Sequence, residues 1–197
     1  MSIPTDVSEA GSILLPASPP AAAGTPVLVQ VWDPMVRVFH WSLVGLFVVA
    51  YASGEEMETL HLVSGYAIVS LLILRVVWGF IGSGHARFSD FVRSPREVLA
   101  YIKQARQHQA PRYLGHNPAG GAMAIALMAM LAGVCFSGYL MTTTAWWGSE
   151  AMEDLHGLLV NVTIGLIGLH LLGNLFSSRE KGENLTMSMI TGLKRPE

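Results

Sequence analysis

Four long apolar stretches constrain this chain more than any other feature of its sequence. They cover residues 36–53, 60–81, 119–142 and 155–176. A helix needs about 20 apolar residues to cross a bilayer, with a range of roughly 17–25, and each stretch meets that requirement. A barrel is disfavoured because short segments of alternating polarity are missing. The pattern predicts an all-α integral membrane protein, built as a four-helix bundle.

The composition agrees with this class. The 197 residues are 51% hydrophobic and 13% charged, whereas a soluble domain carries roughly 25% charged residues. The formal net charge of -2 and the lack of a basic patch with interleaved aromatics argue against a nucleic-acid partner. A single cysteine, Cys135, excludes an internal disulfide, a cysteine-based zinc site and an iron–sulfur cluster.

The apolar stretches divide the chain into three parts. Residues 1–30 are rich in Pro, Ala and Ser and lack the basic start and apolar core of a secretory signal, so a disordered tail is expected. Residues 31–178 form the membrane domain, and residues 179–197 form a C-terminal tail. In the long middle loop, Ser94-Pro95-Arg96-Glu97 is typical of a capping box, which predicts a further helix on the membrane surface.

The distribution of basic residues sets the orientation. The loops before the second and fourth stretches are acidic and contain no Lys or Arg, whereas the middle loop and the C-terminal tail are basic. Basic loops are retained in the cytoplasm. We therefore predict a multi-pass protein of the bacterial inner membrane, surrounded by lipid, with both termini in the cytoplasm and the surface helix on that side.

Four histidines lie inside or at the ends of the apolar stretches, at His40, His61, His156 and His170. An imidazole in a bilayer needs a partner. His156 and His170 are 14 residues apart, which is close to four helical turns and roughly 21 Å. The alternating helix directions then match His61 with His156 in depth, and His40 with His170. Two such pairs, one near each surface, suit bis-imidazole ligation of two haem irons.

Other interpretations of these histidines are weaker. A single one could be a hydrogen-bonded packing residue, but four at matching depths make that less convincing. Zinc needs its ligands clustered around one point, which the separation in depth disfavours. Isolated copper sites with two histidines stay open.

Arg75 is a basic residue inside an apolar stretch. It follows His61 by 14 residues, so it shares that face and lies near the depth of His40 and His170. A haem propionate would bind its guanidinium in a bidentate manner, and the alternative is an arginine that extends to the cytoplasmic interface. Glycines near the histidines suit either the approach of a flat macrocycle or plain helix packing.

His116 precedes Asn117-Pro118 at the start of the third stretch. Histidine titrates near neutral pH, so a proton donor to a quinone could lie here, and His116 marks a candidate quinone site. An ordinary capping or loop histidine is the alternative.

Four sequence motifs accompany these residues. They are Val31-Trp32-Asp33-Pro34 with Arg37-Val38-Phe39-His40-Trp41, Arg75-Val76-Val77-Trp78-Gly79-Phe80, Arg112-Tyr113-Leu114-Gly115-His116-Asn117-Pro118, and Asp154-Leu155-His156-Gly157. Together they resemble the bacterial cytochrome b561 family, which includes the b-type cytochrome subunit of membrane-bound nickel-iron hydrogenases. The resemblance covers residues 30–192. It implies four core helices, two b haems held by the four histidines, and electron exchange with membrane quinone.

These features together predict a dihaem b-type cytochrome that carries electrons between a periplasmic redox partner and the quinone pool. The partner would be a c-type cytochrome, or a dehydrogenase or hydrogenase subunit. The acidic outer loops either steer a basic partner or only complement the basic cytoplasmic side. The alternative is a stand-alone superoxide:quinone oxidoreductase of the same family, which acidic outer loops disfavour because superoxide is an anion. We favour an electron-transfer subunit over a self-contained enzyme.

Overall fold

The computed structural model describes residues 28–196, and its long elements are helices. In chain order the elements are β1 (Val29–Gln30), α1 (Pro34–Ser53), α2 (Glu58–Ile81), a 3-10 turn (Gly84–Ala86), α3 (Phe88–Phe91), α4 (Pro95–Arg106), α5 (Pro118–Met141), α6 (Glu150–Lys181), α7 (Leu185–Thr191) and β2 (Leu193–Lys194). Helices α1, α2, α5 and α6 are long and apolar enough to cross a membrane. The predicted all-α membrane fold is therefore confirmed.

The long helices pack in a simple order. Helix α1 lies against α2, α5 lies against α6, and α2 joins the two pairs through contacts with α5. A buried apolar cluster holds this centre together, comprising Ala50, Ile68, Leu72 and Leu131. Many remaining apolar side chains of these helices are exposed, among them Val48, Phe80 and Leu172, as expected for a surface in contact with lipid.

Two of the long helices begin with the same local arrangement. The Asp33 side chain accepts a hydrogen bond from Val36 N at 2.8 Å, and Pro34 occupies the first turn of α1. The Asn117 side chain accepts from Gly120 N at 2.7 Å before α5. A capping side chain followed by proline satisfies a free N–H and fixes the first turn, so these motifs define where each helix starts.

Helix α6 is longer than predicted, since it covers Glu150–Lys181 instead of residues 155–176. Acidic residues in its first turn and basic residues in its last turn interact favourably with the helix dipole. These polar turns extend the helix beyond its apolar part. It ends at Gly182, whose φ of 61° is left-handed, so the expected boundary at residue 178 falls inside a helix.

Helix α4 has the predicted capping box. The Ser94 side chain accepts from Glu97 N, and the Glu97 carboxylate accepts from Ser94 N at 2.8 Å. Its Tyr101 is buried and meets Tyr113 with ring centroids 5.8 Å apart. The extra helix in the long loop is therefore confirmed, and it packs near the start of α5.

The two ends of the described chain meet each other. Strand β1 pairs antiparallel with β2, with Val29 opposite Lys194. Trp32 Nε1 donates to Ser188 Oγ at 3.3 Å, and Val31 N donates to the Gly192 carbonyl at 2.9 Å. Residues 29–30 of the tail expected to be disordered thus form a strand, while residues 1–27 lie outside the described residues. We call this end of the bundle the inner end, and the end with the α1–α2 and α5–α6 connections the outer end.

Candidate functional site

His61 and His156 face each other at the outer end. His61 lies in the first turns of α2, and His156 lies in the second turn of α6. Their ring centroids are 6.2 Å apart with an interplanar angle of 74°. The structure therefore brings together the two histidines that were matched in depth from the sequence.

Hydrogen bonds behind the two rings fix their tautomers. His61 Nδ1 lies 2.8 Å from the Ala50 carbonyl, which can only accept, so this nitrogen carries the proton. His156 Nδ1 lies 2.9 Å from Ser137 Oγ, whose own proton is donated to the Val134 carbonyl at 2.9 Å. His156 Nδ1 therefore carries a proton as well. Each ring keeps Nε2 as a free lone pair, which is the arrangement that a metal-binding histidine needs.

The spacing of the two rings fits a metal atom between them. Two imidazoles that held one metal through bonds of roughly 2.0–2.1 Å, with roughly 1.1 Å more from nitrogen to ring centre, would have ring centres about 6.3 Å apart. The observed separation is 6.2 Å. A bis-imidazole haem is the group whose dimensions these residues match.

Glycines leave room around this pair. A side chain at Gly138 would place its Cβ 3.1 Å from His156 Cε1, so a larger residue would push the ring aside. A Cβ at Gly65 or Gly157 would meet nothing within 4 Å, which leaves space beside both histidines. Sequence reasoning missed Ser137 and Gly138, although a serine and a glycine within an apolar helix were a usable signal.

His40 and His170 lie toward the inner end. His40 is in the second turn of α1, and His170 is about two-thirds of the way along α6. The two side chains lie within electrostatic range of each other, without the close ring contact of the outer pair. His40 Nδ1 is buried and has no hydrogen-bond partner. A buried polar atom without a partner is rare, so this ring fits a site that a bound group completes.

Arg75 is buried at the same end, with 5% of its surface exposed. Its NH2 group donates to the Ala86 carbonyl at 3.0 Å, and its guanidinium carbon lies 5.4 Å from the Phe88 ring centre and 5.8 Å from that of Phe91. Its NH1 group is buried without a partner. The side chain therefore stays under the 3-10 turn and α3, and its free N–H groups fit an anionic partner such as a propionate.

His116 is wedged between aromatic rings at the inner end. Its ring centroid lies 4.7 Å from that of Trp32 and 4.7 Å from that of Phe91. Burial, assisted by the positive charges of Arg75 and Lys194, lowers the pKa of His116 to about 3. The ring is thus neutral at physiological pH, and its Nδ1 is buried without a partner. Helix capping falls to Asn117 instead.

A second polar pair lies beside His116. His85 Nδ1 is 3.0 Å from Asp90 Oδ2, and the two side chains are 35% and 39% exposed. Gly115 lies against this pair, since a Cβ there would be 2.9 Å from His85 Nδ1 and 3.5 Å from Asp90 Oδ2. No sequence motif pointed to this pair, because the contact with Gly115 joins residues about 30 positions apart in the chain.

Comparison with known proteins decides the family. The model of the family described as prokaryotic cytochrome b561 matches residues 31–192. This chain belongs to that family. The prokaryotic cytochrome b561 family comprises membrane-embedded b-type cytochromes, so the chain is a haem b protein of membrane electron transfer.

Individual relatives carry a related description. A probable Ni/Fe-hydrogenase B-type cytochrome subunit of Bradyrhizobium diazoefficiens is 23% identical over 92% of this chain and 91% of its own length. Proteins with the same description from Rhizobium leguminosarum bv. viciae and Azotobacter vinelandii are 30% and 28% identical, over 46% and 47% of this chain and about half of their own lengths, 49% and 50%. No solved structure gives a significant match.

Proposed function

We propose that this cytochrome b561 holds two b haems, one toward each end of the bundle, and carries electrons between a partner at the outer end and quinone at the inner end. The observation that carries the proposal is the outer pair. The ring centroids of His61 and His156 lie 6.2 Å apart, and both Nδ1 atoms are hydrogen-bonded to neighbouring helices. When bound, a b haem takes up and releases one electron at a potential set by its ligands and surroundings.

The outer histidines are held in position by two neighbouring helices. Ala50 of α1 orients His61, and Ser137 of α5 orients His156. Such partners fix the ring orientation and raise the basicity of the coordinating nitrogen. We assign His61 and His156 as the axial ligands of the outer haem.

The inner haem is assigned to His40 and His170, with Arg75 as the partner of a propionate. Two buried polar atoms without partners support this assignment, namely His40 Nδ1 and the Arg75 NH1 group. A buried guanidinium with a free N–H is costly unless an anion pairs with it. A haem at this site would supply both a metal for the imidazoles and an acid for the arginine.

Quinone is assigned to the inner end, next to His116. A neutral imidazole retains one ring N–H, which can donate to a quinone carbonyl. Trp32 and Phe91 hold the His116 ring in one orientation. The basic loop and tail residues belong to this end, so we place it, with both termini, on the cytoplasmic side of the bacterial inner membrane.

The outer end suits a soluble or peripheral redox partner. Six acidic residues are exposed there, at Glu55, Glu56, Glu58, Glu150, Glu153 and Asp154. Acidic surfaces attract basic partners and accelerate their encounter. We propose a hydrogenase or dehydrogenase subunit, or a c-type cytochrome, as this partner. The same acidity disfavours a stand-alone superoxide oxidase.

Redox experiments on purified protein in proteoliposomes test this function. We expect a potentiometric titration to resolve two one-electron components, and a short-chain quinol to reduce both. Xanthine oxidase, used as a superoxide source, should not drive quinone reduction. A single component, or no reaction with quinol, would refute the proposal, and fast superoxide-driven reduction would favour the alternative enzyme.

A further inference from the structure

His85 and Asp90 form a polar pair between solvent and the interior of the inner end. Their side chains lie 3.0 Å apart and are each about one-third exposed, at 35% and 39%. The 3-10 turn Gly84–Ala86 and helix α3 (Phe88–Phe91) carry them. An imidazole and a carboxylate in contact with water can both exchange protons with the solvent. Nothing in the haem sites uses this pair.

The backbone at Gly115 links the His85–Asp90 pair to His116. Gly115 packs so closely that a Cβ at this position would lie 2.9 Å from His85 Nδ1. His116 is the next residue, and its ring contacts Phe91, the residue after Asp90, with centroids 4.7 Å apart. Because Gly115 has no side chain, the partly exposed pair packs against the backbone of the residue that precedes the buried imidazole.

Resting on the function proposed above, we infer that His85 and Asp90 form the proton-loading site for quinone chemistry at the inner end, and that His116 passes the proton inward. Conversion of a quinone to a quinol takes up two electrons and two protons, and one O–H bond forms at each carbonyl oxygen. The electrons come from the cytochrome, and the protons must come from water. His85 takes a proton from solvent, passes it on, and is reloaded.

His85 and His116 have different roles in this proton transfer. The pKa of His116 is about 3 because the ring is buried near positive charges, so His116 does not store a proton at neutral pH. As a neutral ring it can donate its N–H to the substrate oxygen while its other nitrogen takes up a replacement proton. Storage therefore falls to the exposed His85–Asp90 pair, which water reaches directly.

The charged groups around the pair are few. His116 lies within electrostatic reach of Asp90 and of Arg75 on α2, whereas the Arg93 side chain donates to the Asp90 carbonyl at 2.7 Å and the Arg87 side chain donates to the Gly82 carbonyl at 2.7 Å. His85 and Asp90 are thus the exposed groups here that can exchange a proton.

The test compares two electron acceptors with the haem-loaded full chain. Pre-reduced protein is mixed at pH 7 with a decyl-substituted ubiquinone, which takes up protons, or with ferricyanide, which does not. We expect His85→Asn and Asp90→Asn to oxidise about ten-fold or more slowly with the quinone and at the wild-type rate with ferricyanide. Added imidazole should restore part of the quinone rate in His85→Asn.

His108→Asn is the matched control, because His108 is an exposed histidine of the same long loop and its left-handed φ of 56° also suits asparagine. Wild-type quinone rates in both test variants, or an equal loss in His108→Asn, would overturn the inference. A ferricyanide rate that falls in parallel would also overturn it, since the damage would then lie at the haems. Wild-type protein that reacts with ferricyanide but not with quinone would instead refute the proposed function itself.

Discussion

His156 Nδ1 lies 2.9 Å from Ser137 Oγ, and that serine hydroxyl donates to the Val134 carbonyl of its own helix. The hydroxyl is therefore held as an acceptor for the imidazole N–H. This contact orients a ring on α6 from a residue on α5, and it leaves Nε2 without a hydrogen bond. The proposed outer haem site would thus depend on a serine that no ligand motif includes.

Removal of that hydroxyl should weaken the outer site. In Ser137→Ala the His156 N–H loses its hydroxyl acceptor, and loss of such a partner typically lowers metal affinity 10–100-fold. We expect the outer haem to dissociate faster during dilution, which is measured by the haem-to-protein ratio and the low-spin EPR signals. Thr163→Val is the control, because Thr163 is a buried hydroxyl on α6 that bonds only to its own helix at Leu159. Equal retention of haem in both variants would show that Ser137 does not orient His156.

The charge of Arg75 should set the potential of the inner haem. A nearby positive charge favours the reduced, less positive centre, so Arg75→Gln should lower one potential. The expected shift is tens of millivolts, the size that Coulomb's law gives at roughly 10 Å with an effective dielectric constant of about 20. Arg75→Lys should keep part of the effect, since the charge stays but the bidentate fork is lost. If a redox titration shows neither potential moved, Arg75 is not next to a haem.

Asp33 should stabilise the inner end in its ionised form. Burial raises the pKa of Asp33, but hydrogen bonds from Ser83, Val36 and Trp78 outweigh burial and bring it below the usual 3.8. Its contribution is therefore complete above about pH 4 and is lost as the pH falls through the lowered pKa. Asp33→Asn should cost about 1–3 kcal/mol at pH 7.

Thermal unfolding in detergent at pH 7 and pH 3 measures this contribution. The difference in unfolding temperature between wild type and Asp33→Asn should be smaller at pH 3 than at pH 7. Asp154→Asn serves as the control, because Asp154 is an exposed acid at the outer end. A difference that stays constant with pH would show that the Asp33 charge does not contribute.

The four helices and the outer histidine pair could be predicted because they depend on local properties. Hydropathy identifies a membrane helix over about 20 residues. Helical periodicity places His156 and His170 on the same face of one helix without any tertiary information. The starts of α1 and α5 also depend on local contacts, because the Asp33 and Asn117 side chains each accept a hydrogen bond from the backbone N–H three positions on.

The inner end could not be predicted because its contacts join distant residues. Strands of two residues have no recognisable pattern, so the pairing of Val29 with Lys194 was missed. The contact between Gly115 and the His85–Asp90 pair is also visible only in the folded chain. The ends of α6 were misjudged because its last polar turns continue the helix without being apolar.

The inner end should face the cytoplasm. The basic middle loop and C-terminal segment belong to this end, and such residues are retained on the cytoplasmic side. A cytoplasmic reporter fused after Glu197 should be active, whereas a periplasmic reporter at the same position should be silent. A second fusion in the loop between α5 and α6, after Gly148, should give the opposite pattern. Activity of the periplasmic reporter at the C-terminus would reverse the assigned orientation.

Haem stoichiometry in paired histidine variants tests the central claim most directly. Pyridine extraction of purified wild type should give two b haems per chain. Replacement of both His61 and His156 by alanine should leave one haem, because both changes fall on the outer site. Replacement of His61 and His170 together should leave none, because each site then loses a ligand. A wild-type ratio of one, or one haem retained after loss of His61 and His170, would contradict the two paired sites.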